Sequence, residues 1–225
     1  MGIVAEHYDL AGLEYQGQLI LSNEVTTGLI DTEYKTNQKT IYGYTFKEVI
    51  GEENGKYTEE DITVTYVYTK NDGSTETNEV TKTGPENITS VNGRFNYTLT
   101  YNGKINDYVG KASLTLKDTL PYEIDEENST FDDRCTYDNK VLTCIETYNI
   151  NETNKEITDE FELSLVFKNI DSNKITNKVE STLEYGNTEN KDTDEVETEV
   201  FKGTVIATYK NTQGETLHQN IKHIL

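Results

Sequence analysis

Three polar residues near the middle of the chain occupy positions where a strand pattern calls for apolar side chains, and together they are a nucleophile, an acid and an electrophile. Side chains two apart on a strand share a face. In Ile175-Thr176-Asn177-Lys178-Val179, Asn177 shares its face with Ile175 and Val179. Asp118 shares its face with Leu114, Leu116 and Leu120, and Lys82 with Val80. All three therefore point inward. Each would cost several kcal/mol if buried unpaired, so their coincidence asks for a common cause. Apolar surroundings drive a Lys82 amine toward its neutral, nucleophilic form and an Asp118 carboxyl toward its protonated form. Attack of that amine on the Asn177 side-chain carbonyl, with Asp118 hydrogen-bonding the oxygen and shuttling protons, expels ammonia and leaves an intramolecular isopeptide bond. This is a single-turnover self-modification, with Asp118 its promoter. The non-covalent alternative has Asp118 capping the turn before Pro121, Lys82 snorkelling to a strand end and Asn177 satisfying backbone at an edge. Lys104 and Lys111, each near a turn-like glycine, are weaker candidates for the amine.

The elements that must position these residues are strands. Tyr occurs 16 times, Pro twice and Trp never, and no long segment carries an i, i+3, i+4, i+7 apolar pattern. Alternation is clear in Ile62-Val64-Tyr66-Tyr68, Phe95-Tyr97-Leu99-Tyr101, Leu114-Leu116, Phe161-Leu163-Leu165-Phe167 and Ile175-Val179-Leu183, with Asn, Asp and Gly clusters between them. The expected fold class is all-β. Most of the tyrosines fall on these alternating positions, where packing is their ordinary use, although a tyrosine face stacking on a sugar is the other reading.

Three zones separate by pattern: 1–69, 70–200 and 201–225. The polar stretch Lys70 to Ser74 and the acidic stretch Asn187 to Glu199 lie at the joints, and both are read as solvated linkers and not as calcium loops. The third zone repeats the start of the first. Gly203-Thr204-Val205 through Tyr209 and Gly214 lies on Gly2-Ile3-Val4 through Tyr8 and Gly12, so it reads as the truncated start of a second copy. Its strand is expected to pair poorly or to lie against the middle zone.

Acidic residues outnumber basic ones 41 to 20, a formal net charge of −21, which argues against nucleic acid and anionic membrane surfaces as partners. No apolar run of about 18 residues offers to span a bilayer. Met1 reads as a start inside a longer protein, with any export signal or anchor elsewhere. Cys135 and Cys144 match no metal or redox motif. Tyr137 and Leu142 flank the loop Asp138-Asn139-Lys140-Val141, so the cysteines either face each other across a hairpin as a disulfide or stand as free thiols on opposite sides. His7, His218 and His223 have no partners at ligand spacing, and no metal or cofactor is expected. No nucleophile–base pair, phosphate loop or pair of catalytic carboxylates is evident, and no enzymatic activity is expected.

Two resemblances add to this reading. The opening Gly2 to Tyr8, the central Tyr42-Gly43-Tyr44-Thr45-Phe46 and the closing Gly55-Lys56-Tyr57-Thr58-Glu59-Glu60-Asp61-Ile62 with Val64, Tyr66 and Tyr68 resemble the MucBP (mucin-binding protein) domain of Gram-positive surface proteins. The turn Leu10-Ala11-Gly12-Leu13 departs from its usual, more acidic sequence. Val80-Thr81-Lys82-Thr83-Gly84, Leu116-Lys117-Asp118-Thr119-Leu120-Pro121 and Ile175-Thr176-Asn177-Lys178-Val179 resemble, in order and spacing, the isopeptide-forming fimbrial and collagen-adhesin domains: a lysine in the first strand, an aspartate in a central one, an asparagine in the last. The resemblances imply a small β-rich domain, an Ig-like β-sandwich and the start of a further repeat. They imply an extracellular, wall-attached adhesin segment, monomeric within a longer chain, acting as a stalk under shear. The alternative function is a module whose first domain binds mucin or another host glycan or protein.

Overall fold

The structure, a computed structural model, describes residues 2–9, 19–89, 93–207, 210–213 and 221–224, with backbone alone at 2–9, 19, 204–207 and 221–224. Every regular element among them is a strand. The turn Leu10 to Leu13, Tyr209, Gly214 and His218 lie outside the described residues, and the side chains of His7 and His223 are not described.

The N-terminal part comprises β1 (Gly2–Asp9), β2 (Leu19–Thr27), β3 (Glu33–Lys35), β4 (Tyr44–Ile50), β5 (Asn54–Lys56) and β6 (Ile62–Lys70). Four of these form a sheet in the order β2-β1-β6-β4, with β1 and β6 parallel, while β3 and β5 make a separate ribbon. The alternation Val64, Tyr66, Tyr68 supplies a small core, against which Ile20, Ile41, Tyr44, Phe46 and Val49 pack. The two buried tyrosines keep their hydroxyls satisfied: Tyr66 donates to Thr36 Oγ1 at 2.7 Å and Tyr68 to the Lys39 carbonyl at 2.8 Å.

The middle part is a sandwich of β7 (Ser74–Thr83), β8 (Asn87–Ile88), β9 (Phe95–Asn106), β10 (Gly110–Thr119), β11 (Thr130–Phe131), β12 (Cys135–Asp138), β13 (Val141–Ile150), β14 (Glu156–Leu165), β15 (Lys174–Tyr185) and β16 (Thr188–Val200). One sheet runs β11-β14-β9-β7 and the other β12-β13-β10-β15-β16-β8. Their inward residues, Phe95, Leu99, Leu114, Leu116, Phe161, Val179 and Leu183 among them, form one continuous core.

Polar contacts close both long sides of this sandwich. On one side the backbone N–H groups of Val80 and Lys82, at the free edge of β7, donate to Asp192 Oδ2 (2.9 Å) and Asp194 Oδ2 (2.6 Å) of β16. Carboxylates thereby stand in for a missing strand at an edge that would otherwise be open. On the other side Arg134 grips Asp132 with two parallel bonds of 2.9 Å, reaches Asp159 at 2.8 Å and lies 4.0 Å over the Phe161 ring. That grip holds the Asp132 carboxyl down at about 2.

The acidic stretch is thus a strand and not a solvated linker. Between Thr188 and Val200 the residues at even positions (Thr, Asn, Asp, Asp, Val, Thr, Val) turn toward β7 and the core, while the glutamates at odd positions face water. The first joint is likewise no free linker. Only Asn71, Asp72 and Gly73 separate β6 from β7, and Asp107, at φ 54° before β10, clamps them. Its carboxylate accepts from the Gly43 N–H (3.2 Å) and Asn71 Nδ2 (2.7 Å), and its own N–H donates to the Tyr42 hydroxyl at 2.8 Å. A side chain at Gly43 (φ 77°) would collide with Val109, 2.5 Å from an added Cβ. The last elements, β17 (Thr204–Ala207) and β18 (Ile221–Ile224), pair antiparallel with each other. The strand of the third zone therefore has a partner, and that partner comes from its own zone.

Candidate functional site

Lys82 is carried by β7 in one sheet, Asp118 and Asn177 by the adjacent strands β10 and β15 in the other. Asp118 pairs with Val179, which places Asn177 two residues along β15 on the same face, the diagonal relation in which side chains still reach one another. Lys82 pairs with Leu99 and comes down from the opposite sheet. Its Nζ lies 2.6 Å from Asp118 Oδ2, with both side chains wholly shielded from solvent, and Asn177 is 0% exposed. Apart from that contact, neither Lys82 Nζ, the Asp118 oxygens nor the Asn177 amide atoms meet hydrogen-bond geometry with any group.

This arrangement disagrees with each part of the non-covalent alternative. Lys82 does not snorkel to a strand end, Asp118 does not cap the turn before Pro121, and Asn177 satisfies no backbone. Left as it stands, the cluster strands several polar atoms in the core at about 1–3 kcal/mol apiece. Burial drives the Lys82 amine down, with Asp118 opposing, and drives the Asp118 carboxyl up, with Lys82 opposing. Both directions favour the neutral pair, an amine with a free lone pair beside a protonated acid, because a fully buried ion pair rarely recovers its desolvation cost. The site can therefore hold an uncharged nucleophile, an acid and an amide in one dry pocket.

A fourth polar residue, Tyr97 of β9, completes the pocket, and strand alternation gave no reason to single it out from the other packing tyrosines. Its ring lies under Lys82, 4.6 Å from Nζ to the centroid. Of the weaker candidates, Lys104 pairs in the open with Glu76 at 3.0 Å and Lys111 is exposed; neither approaches the pocket. Cys135 and Cys144 face each other in the β12–β13 register, joined as a disulfide across a two-residue turn in which Asn139 and Lys140 both have positive φ. Among the described residues there is no cluster of three or more His, Cys, Asp or Glu side chains placed to hold a metal, and no helix long and apolar enough to cross a membrane.

Among known proteins, the chain is 30% identical over 151 residues to Internalin J of Listeria monocytogenes. That covers 67% of this chain but 16% of the relative's length. In structure it is similar to the full-length major pilin SpaD of Corynebacterium diphtheriae (TM-score 0.39, 12% identity, 96% of this chain and 70% of that one). It is also similar to AggA, the major subunit of aggregative adherence fimbriae type I of Escherichia coli (TM-score 0.34, 11% identity, 57% and 96%). Residues 13–69, the stretch that holds β2 to β5 and nearly all of β6, match the MucBP domain.

Proposed function

We propose that this chain is a load-bearing, non-catalytic segment of an extracellular, wall-attached adhesin, organised as a MucBP-like domain (1–69), a self-cross-linking sandwich (70–200) and the start of a second MucBP-like copy (201–225). The observation that carries the reading is the convergence of Lys82, Asp118 and Asn177 in one solvent-free pocket between the two sheets. The neutral amine attacks Asn177 Cγ while protonated Asp118 hydrogen-bonds Oδ1. The Nζ–Cγ bond forms, the Cγ–Nδ2 bond breaks, the proton lost by Nζ passes through Asp118 to Nδ2, and ammonia leaves. No oxidant or cofactor is needed. The MucBP match and the likeness to Internalin J support a surface location.

Intact mass of the folded protein, measured after reduction of the disulfide, tests the reading. It should fall short of the sequence mass by one ammonia, and Lys82→Ala or Asn177→Ala should restore the missing mass. An unshifted wild-type mass ends the cross-link proposal. The MucBP match also favours a second role, capture of mucin or another host glycan by the first domain. Retention of the full chain on immobilised mucin, competed by free glycan, would support it, and clean non-binding would leave the stalk alone.

A further inference from the structure

A lysine amine rides on a flexible four-carbon stem, so its tip is placed only as well as its backbone is held. On one side Lys82 is held by β9, through its pairing with Leu99, but that strand belongs to its own sheet. Asp118 and Asn177 stand in the other sheet. Whatever sets the lysine against them must be a contact that crosses between the sheets.

Three such contacts run along the seam where β7 and the segment after it lie beside β16. Asp192 Oδ2 accepts from the Val80 N–H at 2.9 Å, Asp194 Oδ2 accepts from the Lys82 N–H at 2.6 Å, and the Thr198 hydroxyl donates to the Pro85 carbonyl at 2.7 Å. The two carboxylates advance in step, two residues on β16 for two on β7, which gives the seam a single register. The middle contact is made to the reacting residue itself.

Asp194 is also in line with the pocket. It pairs with Val179, and Val179 pairs with Asp118, so the three form one row across β16, β15 and β10. That row spans two strand spacings, about 9.6 Å. Lys82 is bound near both ends of it, its backbone N–H to Asp194 and its Nζ 2.6 Å from Asp118. Asn177 stands two residues from Val179 on the same buried face of β15, beside the middle of the span. A bond from N–H to carboxylate is shorter and roughly twice as strong as one between neutral groups, so the root of the lysine has a firm anchor. With root and tip both fixed, the stem is confined to the part of the pocket that Asn177 borders.

We infer that Asp194 is a positioning residue of the cross-linking reaction: by holding the Lys82 N–H it fixes β7 against the facing sheet and sets the amine at Asp118 and Asn177. The inference rests on the proposed cross-link. Asp194 exchanges no proton with the reacting atoms, and the bonds made and broken are those given above. Asp192 makes the same kind of contact to Val80, which does not react, and is therefore the internal control.

The test follows the full chain after a short pulse of cell-free synthesis, quenching samples in denaturant and reading the fraction that has lost ammonia. Asp194→Ala should cross-link about tenfold more slowly, the rate equivalent of the bond it removes. Asp194→Asn keeps an oxygen that can accept from the Lys82 N–H, so its rate should stay within about threefold of wild type. Asp192→Ala loses an equivalent bond one step along the seam and should also stay within about threefold. A wild-type rate in Asp194→Ala, an Asn variant as slow as the Ala variant, or an Asp192→Ala as slow as Asp194→Ala overturns the inference. A second readout does not depend on the bond forming. In an Asn177→Ala background with ¹⁵N-labelled lysine, Asp194→Asn should move the Lys82 N–H proton signal upfield, because a neutral amide oxygen is the weaker acceptor, and an unmoved signal refutes the contact. If wild type never loses ammonia, the cross-link reading fails while this signal still judges the contact itself.

Discussion

Replacing Asp118 by asparagine removes the acid and changes almost nothing else. The side chain keeps its shape in a pocket that is 0% exposed, and Lys82 and Asn177 stay in place. Without a proton donor to the Asn177 oxygen and a carrier to the leaving nitrogen, the proposed reaction should stop, and Asp118→Asn should keep its full sequence mass where wild type is expected to fall short by one ammonia. The proposed bond would close a loop of about 95 residues, whose lost freedom in the unfolded chain is worth about 4.7 kcal/mol on the chain-entropy relation for cross-links. A sandwich of roughly 130 residues has an unfolding entropy near 0.28 kcal/mol/K, so the variant should melt about 17 °C lower. Differential scanning calorimetry on samples of known mass reads both quantities together. A variant that lacks the bond yet melts within about 4 °C of wild type would refute the entropic argument, and a variant that still loses ammonia would refute the role given to Asp118.

Three more outcomes follow. In Lys82→Met, Asp118 keeps the carboxyl that burial drives up and loses the amine that opposed it. The folded state then binds a proton that the unfolded state has released, so stability should fall as pH rises from the ordinary carboxylate value of 3.8 through the raised one, and urea unfolding that is flat or rises with pH across that window contradicts this. Asp107→Ala removes two acceptor bonds at the joint, and relaxation or small-angle scattering data should show the N-terminal sheets moving independently of the sandwich; unchanged coupling would assign the rigidity to other contacts. Pulled by its two ends, the wild-type sandwich should release only the chain outside the bond, about 30 residues or roughly 110 Å, against roughly 450 Å for Asp118→Asn, and full-length extension of wild type would exclude a bond at this position.

Strand parity made the inward faces of Lys82, Asp118 and Asn177 legible, because alternation is local and each shares its face with apolar residues of its own strand, Asp118 and Asn177 on both sides and Lys82 on the side of Val80. That they approach one another was not legible, since Lys82 arrives from the opposite sheet. Tyr97 stayed hidden for a different reason: a tyrosine buried in the core and one whose ring lines the site have the same alternation, and only the approach of Lys82 to the ring separates them. Thr198 and the two edge-capping aspartates were obscured by composition. The glutamates drew the stretch from Glu189 to Glu199 toward a linker reading, although Val196, Thr198 and Val200 already carried the period of a strand with one buried face. Asp107 had no local signal at all, because its partners Gly43 and Asn71 belong to other elements and its role exists only once the two sheets systems meet.

The register changes what a Lys82–Asn177 bond would do under load. Sequence order suggested a tie between first and last strands, but Asn177 lies on β15 and the chain leaves the sandwich through β16. Force entering along β6 crosses the Asp107 joint into β7 and reaches Lys82, where the bond would divert it to Asn177 and shield everything from Thr83 to Thr176. The remainder of β15 and all of β16 stay in the path, and non-covalent contacts must hold them. Those contacts are concentrated accordingly. β16 pairs with β15 from Thr188 to Glu199, offers Asp192 and Asp194 to the N–H groups of β7, and is gripped at its exit by Thr198 on Pro85 and by the parallel pairing of Glu199 and Val200 with Asn87 and Ile88. Pro85, Asn87 and Ile88 thus hold the end of the strand that the bond would leave unprotected, so the segment 85–88 is the clasp on which the exit from the sandwich depends.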